Sequence, residues 1–174
     1  MVLRPGDPAP EFTIEDVHGT EFVLSEFRGK KSVVLVFLRY LGCPLCQVAL
    51  HQYRSAYHEF SERGAEVVVF LQSPVATIAG SGDVSAFPFR LIPDPGGSIY
   101  RKYRVGSGNL LMMPQSVLKA FAYSLKGYES GKNEGNAWQL PGHFVVDDTG
   151  TVRLAHVGKN MGDNLPPDRL LPFI

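Results

Sequence analysis

The stretch Ser32–Leu71, SVVLVFLRYLGCPLCQVALHQYRSAYHEFSERGAEVVVFL, decides the fold. Ser32–Leu38 is an almost unbroken β-branched and apolar run, the pattern of a central strand buried on both faces. The run breaks sharply at Gly42. A helix is expected next, because Leu45, Ala49, Tyr53, Ala56 or Tyr57, and Phe60 recur at helical spacing and form one apolar stripe. Arg63 stands in its last turn, where a cation complements the helix dipole. Gly64 suits the left-handed position that ends a helix. Glu66–Leu71 (EVVVFL) then reads as a second buried strand. Strand, helix and strand in this order form a β-α-β unit with a right-handed crossover, the building block of an α/β sheet.

On the N-terminal side, Phe12–Leu24 predicts a hairpin, with Phe12–Ile14 and Phe22–Leu24 as strands and turn residues Asp16–Thr20 around Gly19. Ser25 is expected to cap a short turn ending at Gly29. On the C-terminal side, Ser73 and Pro74 predict a helix start, with the helix running to about Ala79. Phe89–Ile92 predicts a short strand, and Ser98 a cap for a helix carrying Ile99, Tyr100 and Tyr103. Residues 106–135 read as an insertion with one helix over 116–128, framed by glycine-rich polar stretches. His143–Val146 and Val152–His156 flank the turn residues Asp147–Gly150 and predict a hairpin at the sheet edge. Asp147 and Asp148 read as turn chemistry rather than an acid–base pair.

The 174 residues are expected to form one domain, long enough to bury roughly 70% of the unfolded chain's surface without a staple. Seventeen basic residues balance seventeen acidic ones, which argues against nucleic acid as a partner. No apolar run approaches the ~20 residues of a membrane span. The N-terminal MVLRPGDPAPEF has no apolar leader core, so the expected location is the cytoplasm.

The chain holds two cysteines, Cys43 and Cys46, three positions apart. They permit no long-range disulfide, and no second ligand pair completes a closed zinc site. A redox dithiol and two incidental buried thiols remain. The setting favours the dithiol. Pro44 suits the first helical position, which makes Cys43 the N-cap, facing unpaired N–H groups and the positive helix end. Both favour thiolate and predict a pKa below the free-thiol value of about 8.5. Cys46 lies one turn on, on the same side and deeper. It can attack an oxidised Cys43 and close an internal disulfide. Leu41, Gly42 and Leu45 predict a small apolar approach with little steric cover. C-x-x-C at a strand-to-helix junction inside β-α-β is the thioredoxin-like setting. Two alternatives stay open: a metal module, such as a copper site, using Cys43, Cys46 and His51 or His143, and a non-catalytic scaffold.

Gly6-Asp7-Pro8-Ala9-Pro10, followed by Phe12, Asp16, Gly19 and Leu24-Ser25, resembles the N-terminal signature of the AhpC/TSA group of peroxiredoxins. The pattern Arg39-x-x-Gly42-Cys43-x-x-Cys46 is closer to the peroxiredoxin-like 2 branch. So are Gln139–Asp147 (QLPGHFVVD), Gly150, Val152, Ala155-His156, Asp163 and Pro166-Pro167, in that order. The resemblance implies a thioredoxin-like three-layer α/β/α sandwich with an N-terminal β-hairpin and an inserted helix. It implies a nucleophilic Cys43, a resolving Cys46, a peroxide or disulfide substrate and re-reduction by a thioredoxin-like dithiol donor. No metal or organic cofactor is implied, and a homodimer is admitted. It also implies that Pro141 is a cis-proline opposite the dithiol, the alternative being an ordinary strand-leading proline. The family's usual proline and threonine, seven and three positions before the reactive cysteine, are here Val36 and Tyr40. Its second arginine would fall at Leu140-Pro141-Gly142. Arg39 and Tyr40 are therefore the candidate substitute donors.

Overall fold

The computed structural model describes residues 3–82, 84–109, 122–123, 125–128 and 131–174. Two short strands, β1 (Thr13–Glu15) and β2 (Glu21–Val23), pair antiparallel as the expected hairpin. Asp16 closes it, its carboxylate accepting the backbone N–H groups of His18 and Thr20.

Five further strands form one mixed sheet. In chain order they are β3 (Ser32–Phe37), β4 (Ala65–Leu71), β5 (Arg90–Pro93), β6 (Gly142–Val146) and β7 (Val152–Val157). They lie side by side as β5-β4-β3-β6-β7. The β3–β4 and β4–β5 pairs are parallel, whereas β6 and β7 run antiparallel to their neighbours. The apolar run thus lands in the middle of the sheet, as its composition requires.

Alternation along β3 assigns its side chains to two cores. Val34 and Val36, with Leu38 beyond, face α1 (Pro44–Ser55), α2 (Tyr57–Glu62) and α3 (Val75–Ala79). Val33, Leu35 and Phe37 face α4 (Ser98–Lys102) and the N-terminal hairpin. Phe37 stacks on Phe70 at 4.5 Å and meets Tyr100 and Phe144 edge-on. Helices on both faces of the sheet make the three layers. Among the described residues no helix is long and apolar enough to cross a membrane.

Several local expectations change. The helix expected from Leu45 to Phe60 is two helices, because Ala56 (φ −93°, ψ 2°) leaves helical geometry. Nothing in the sequence at this alanine accounts for the break. Gly64 does take the left-handed conformation (φ 72°). Ser98 does not cap α4. The Asp94 carboxylate accepts the N–H groups of Ser98 and Ile99 and the Ser98 hydroxyl, a stronger, charged cap. Pro74, not Ser73, precedes α3, since the Ser73 hydroxyl is engaged elsewhere. The helix expected over 116–128 lies outside the described residues except at 122–123 and 125–128.

Pro141 is a correction. No cis peptide bond occurs among the described residues, so Pro141 is trans. Its carbonyl accepts the N–H of Gly158 at 2.8 Å and extends the β6–β7 pairing. It is a strand-leading proline, at a place where its missing N–H costs no ladder bond.

His143 on β6 is fully buried beneath α1, stacked on Tyr53, and both ring nitrogens lack a hydrogen-bond partner among the described residues. Burial, and secondarily the nearby His156, pull its pKa down to about 3. The unfolded chain protonates this histidine near 6.5, and the folded chain resists. Stability is therefore full above pH 6.5 and falls as pH drops from 6.5 towards 3. Between pH 6.5 and 4.5 this group alone should remove about 2–3 kcal/mol. In urea unfolding across that range, His143→Phe should show a correspondingly flatter pH dependence. An unchanged slope would contradict the account.

Candidate active site

The site is built where β3 ends. The Leu38 N–H donates to Phe70, and the Arg39 carbonyl accepts the Gln72 N–H at 2.7 Å, so the two strands stay coupled past their last regular pair. The Tyr100 hydroxyl donates to the Leu38 carbonyl. Leu41 N–H donates to the Ser73 hydroxyl at 2.9 Å. The Gly42 carbonyl accepts Gly131 N–H at 2.8 Å. Glycine is needed at 42, because a Cβ there would stand 2.8 Å from the Gly131 Cα. Leu38, Arg39, Leu41 and Gly42 are thus held from several distant parts of the chain.

Cys43 (φ −85°, ψ 121°) is the N-cap of α1, with Pro44 at the first helical position, as expected. Its carbonyl accepts the N–H groups of Cys46 and Gln47, both at 2.9 Å. Its sulfur lies 3.5 Å from Arg39 Nη1. The Cys46 sulfur accepts the Arg39 backbone N–H at 3.3 Å. One arginine therefore serves both sulfurs, the outer with its side chain and the inner with its backbone.

This geometry splits the two thiols. Hydrogen bonding from the Cys46 thiol, the Arg39 charge and the N–H groups of Cys46 and Leu45 pull the Cys43 pKa down to about 6, against the opposing effect of burial. Burial pushes Cys46 well up, and the neighbouring Cys43 charge pushes the same way. The favoured charge state is a Cys43 thiolate that accepts a hydrogen bond from the Cys46 thiol. Tyr40 stacks under the Arg39 guanidinium, 5.1 Å from its ring centroid. Burial and the Cys43 charge raise the pKa of its phenol, so it stays a donor.

The open approach expected at Cys43 is not found. Both cysteines are only 2% exposed, Leu45 is buried, and Gly131 closes against Gly42. A cleft of about 440 Å³ lies beside the turn, lined by Leu41, Gly42, Gln47, Leu50, Phe87 and Lys132 among others. The structure brings Arg39, Tyr40, Gly42, Pro44 and both cysteines together, whereas Pro141 packs against Gly158. Among the described residues no three His, Cys, Asp or Glu side chains converge on a metal position. His51 faces Tyr128 and His143 faces Tyr53, so neither supports the metal alternative.

Sequence reasoning missed Ser73, Gln72 and the carbonyl of Ala137, which accepts the second Arg39 amino group. One signal was present. Gln72 and Ser73 are polar residues directly after a buried parallel strand, and sites in α/β sheets lie at such strand ends. Ala137 carried none, because its contribution is a backbone atom.

A dithiol at the start of the helix that leaves the central strand, inside a sheet covered on both faces, defines a thioredoxin-fold thiol protein. The sequence model of the AhpC/TSA family matches residues 5–155, and the chain belongs to that family. Alkyl hydroperoxide reductase E of Mycobacterium bovis is 31% identical over 158 residues, covering 90% of this chain and 86% of the relative. Thiol-disulfide oxidoreductase ResA of Halalkalibacterium halodurans is 30% identical over 60% of this chain and 58% of its own. Chloroplastic Peroxiredoxin Q of Triticum aestivum is 30% identical over 60% of this chain, which spans about half (48%) of that relative's length. Among solved structures, peroxidoxin BcpB of Mycobacterium tuberculosis superposes with a TM-score of 0.68 at 23% identity, covering 98% of this chain and 96% of its own. Reduced 2-Cys peroxiredoxin of Plasmodium vivax gives 0.70 at 20% identity, covering 97% and 79%. These two likenesses carry the fold.

The Arg39 account has a direct check. In the pH dependence of iodoacetamide labelling, followed by peptide mass, wild-type Cys43 should show a midpoint near 6. Arg39→Met should raise that midpoint by about one pH unit or more, the usual effect of losing a close opposite charge. A midpoint that stays put would remove Arg39 from the account.

Proposed function

We propose that the chain is a thiol peroxidase of the AhpC/TSA family, with Cys43 as the attacking thiolate and Cys46 as its resolver. The observation that carries this reading is the placement of the sulfurs. Cys43 stands at the helix start 3.5 Å from Arg39 Nη1, which favours its thiolate, and Cys46 lies buried behind it, which favours its thiol. Thiolate is the form that attacks a peroxide.

In the first step the Cys43 sulfur attacks the distal peroxide oxygen. A new S–O bond forms, the O–O bond breaks, and the leaving alkoxide or hydroxide takes up a proton. Arg39 and the Tyr40 hydroxyl supply donors for the charge moving onto that oxygen, in place of the threonine and second arginine this chain lacks. In the second step the Cys46 sulfur attacks the sulfenic sulfur of Cys43 and expels water, leaving a disulfide. A thioredoxin-like dithiol donor then returns both thiols, its own pair being oxidised.

The cleft beside Gly42 gives an organic tail a place to lie, with Leu41, Leu50 and Phe87 as its apolar wall. The name of the Mycobacterium bovis relative states an alkyl hydroperoxide substrate, which fits such a wall. A second reading, thiol–disulfide exchange, is favoured by the likeness to ResA. Comparing rate constants for hydrogen peroxide, an organic hydroperoxide and a small disulfide separates the two.

In stopped-flow experiments, Cys43→Ser should abolish reaction with peroxide. Cys46→Ser should keep the first oxidation but accumulate sulfenic acid, trappable with dimedone. The wild-type rate should rise with pH through about 6, as the thiolate forms, and level off above it. Peroxide reacting equally well with Cys43→Ser would overturn the assignment. Phe87→Ala should slow an aromatic hydroperoxide several-fold and leave hydrogen peroxide unchanged, whereas an equal loss for both would exclude the cleft as the tail's seat.

A further inference from the structure

Arg39 lies on a long, flexible side chain, and fixing such a side chain costs up to about 2 kcal/mol of rotamer entropy. Something must hold the guanidinium over Cys43. One amino group faces the sulfur, the other donates to the Ala137 carbonyl, and Nε has no partner among the described residues. Ala137 sits in irregular chain before β6, so its carbonyl needs support of its own.

That support converges on Gln72, which is buried (3% exposed) just past the end of β4. Its backbone N–H donates to the Arg39 carbonyl at 2.7 Å. Its side-chain oxygen accepts the Asn136 N–H at 2.7 Å, and its amide nitrogen donates to the Gln139 side-chain oxygen at 2.8 Å. The Asn136 N–H can only donate, so the orientation of the Gln72 amide is determined. Gln139 in turn aims its own amide nitrogen at the carbonyls of Val105, Gly106 and Leu140. Gln72 therefore grips the chain on both sides of Ala137 and also holds the backbone of Arg39. The fit is close. A Cβ on Gly135, which has φ +65°, would stand 2.5 Å from the Gln72 side-chain oxygen.

We propose that Gln72 is a positioning residue for Cys43: it holds the Ala137 carbonyl where that carbonyl seats the Arg39 guanidinium on the reactive sulfur. This rests on the reading of Cys43 as the reacting thiol. A role of this kind changes the charge state of Cys43, whereas a merely structural role would change stability alone.

The test is the labelling midpoint of Cys43 in Gln72→Met, which keeps the side-chain volume and removes both hydrogen bonds. The midpoint should rise by about one pH unit, as for a displaced opposite charge. The loss in peroxide rate should then be about fivefold greater at pH 6 than at pH 8, since the thiolate fraction differs mainly at the lower pH. The Arg39→Met/Gln72→Met double variant should match Arg39→Met alone, because the two act through one contact. If Gln72→Met does not fold, Gly135→Ala, which displaces the Gln72 amide, should raise the midpoint in the same way. An unmoved midpoint overturns the proposal, and so does a double variant in which the two shifts add. Labelling needs no peroxide chemistry. A wild type with a midpoint near 6 that ignores peroxides would therefore sink the peroxidase reading and leave this test standing.

Discussion

A charge on a sulfur that is almost wholly buried is the constraint on which the site depends. Burial opposes a Cys43 thiolate, and an uncompensated buried charge costs several kcal/mol. Three different sources compensate it: the N–H groups of Leu45 and Cys46 at the start of α1, the Arg39 guanidinium and the Cys46 thiol. Each works only at short range, so the turn that carries them must be rigid. That explains why residues 38–42 are tied to so many distant points: Tyr100 on the opposite face of the sheet, Gln72 and Ser73 after β4, and Gly131 and Ala137 in the segment before β6. The sheet delivers the cysteines to the helix start. The surrounding loops keep the compensating groups within reach.

The departures from the family pattern have a structural logic. Val36 occupies a position on β3 paired with Val69 on one side and His143 on the other. Proline there would leave a central-strand ladder bond unmade, whereas valine keeps the strand regular to its last residue. Tyr40, standing where threonine is usual, offers a hydroxyl and also a ring face under Arg39. The ring takes part in holding the cation, a task threonine could not perform.

The parts legible in the sequence are those governed by local pattern. The apolar run of β3, the cysteine at an N-cap before Pro44, and Gly64 ending a helix each follow from residues close together in the chain. The illegible parts depend on partners far away. Ser98 reads as a cap until Asp94 reaches the same N–H groups with a full charge. Ser73 reads as a cap until its hydroxyl meets Leu41, 32 residues earlier. The exposure of Cys43 was misjudged because Leu41, Gly42 and Leu45 say nothing of Gly131, which closes over the turn. Pro141 carried a conformation borrowed from resemblance, and its strand-leading place needs none.

The coupling between the two sulfurs also orders their reactivity in the proposed cycle. Burial keeps Cys46 protonated, and a Cys43 thiolate adds to that effect, so the inner thiol does not compete for substrate. Once Cys43 has taken an oxygen and become a neutral sulfenic acid, that contribution to the Cys46 pKa is gone. Burial still opposes ionisation, but the Arg39 N–H, already 3.3 Å from the Cys46 sulfur, and the Arg39 charge now favour it without opposition from Cys43. Ionisation of the resolver therefore becomes easier at the stage where it has a target. A nucleophile that suppresses its resolver until it has reacted needs no conformational signal between the two steps, and two cysteines three residues apart are enough to build it.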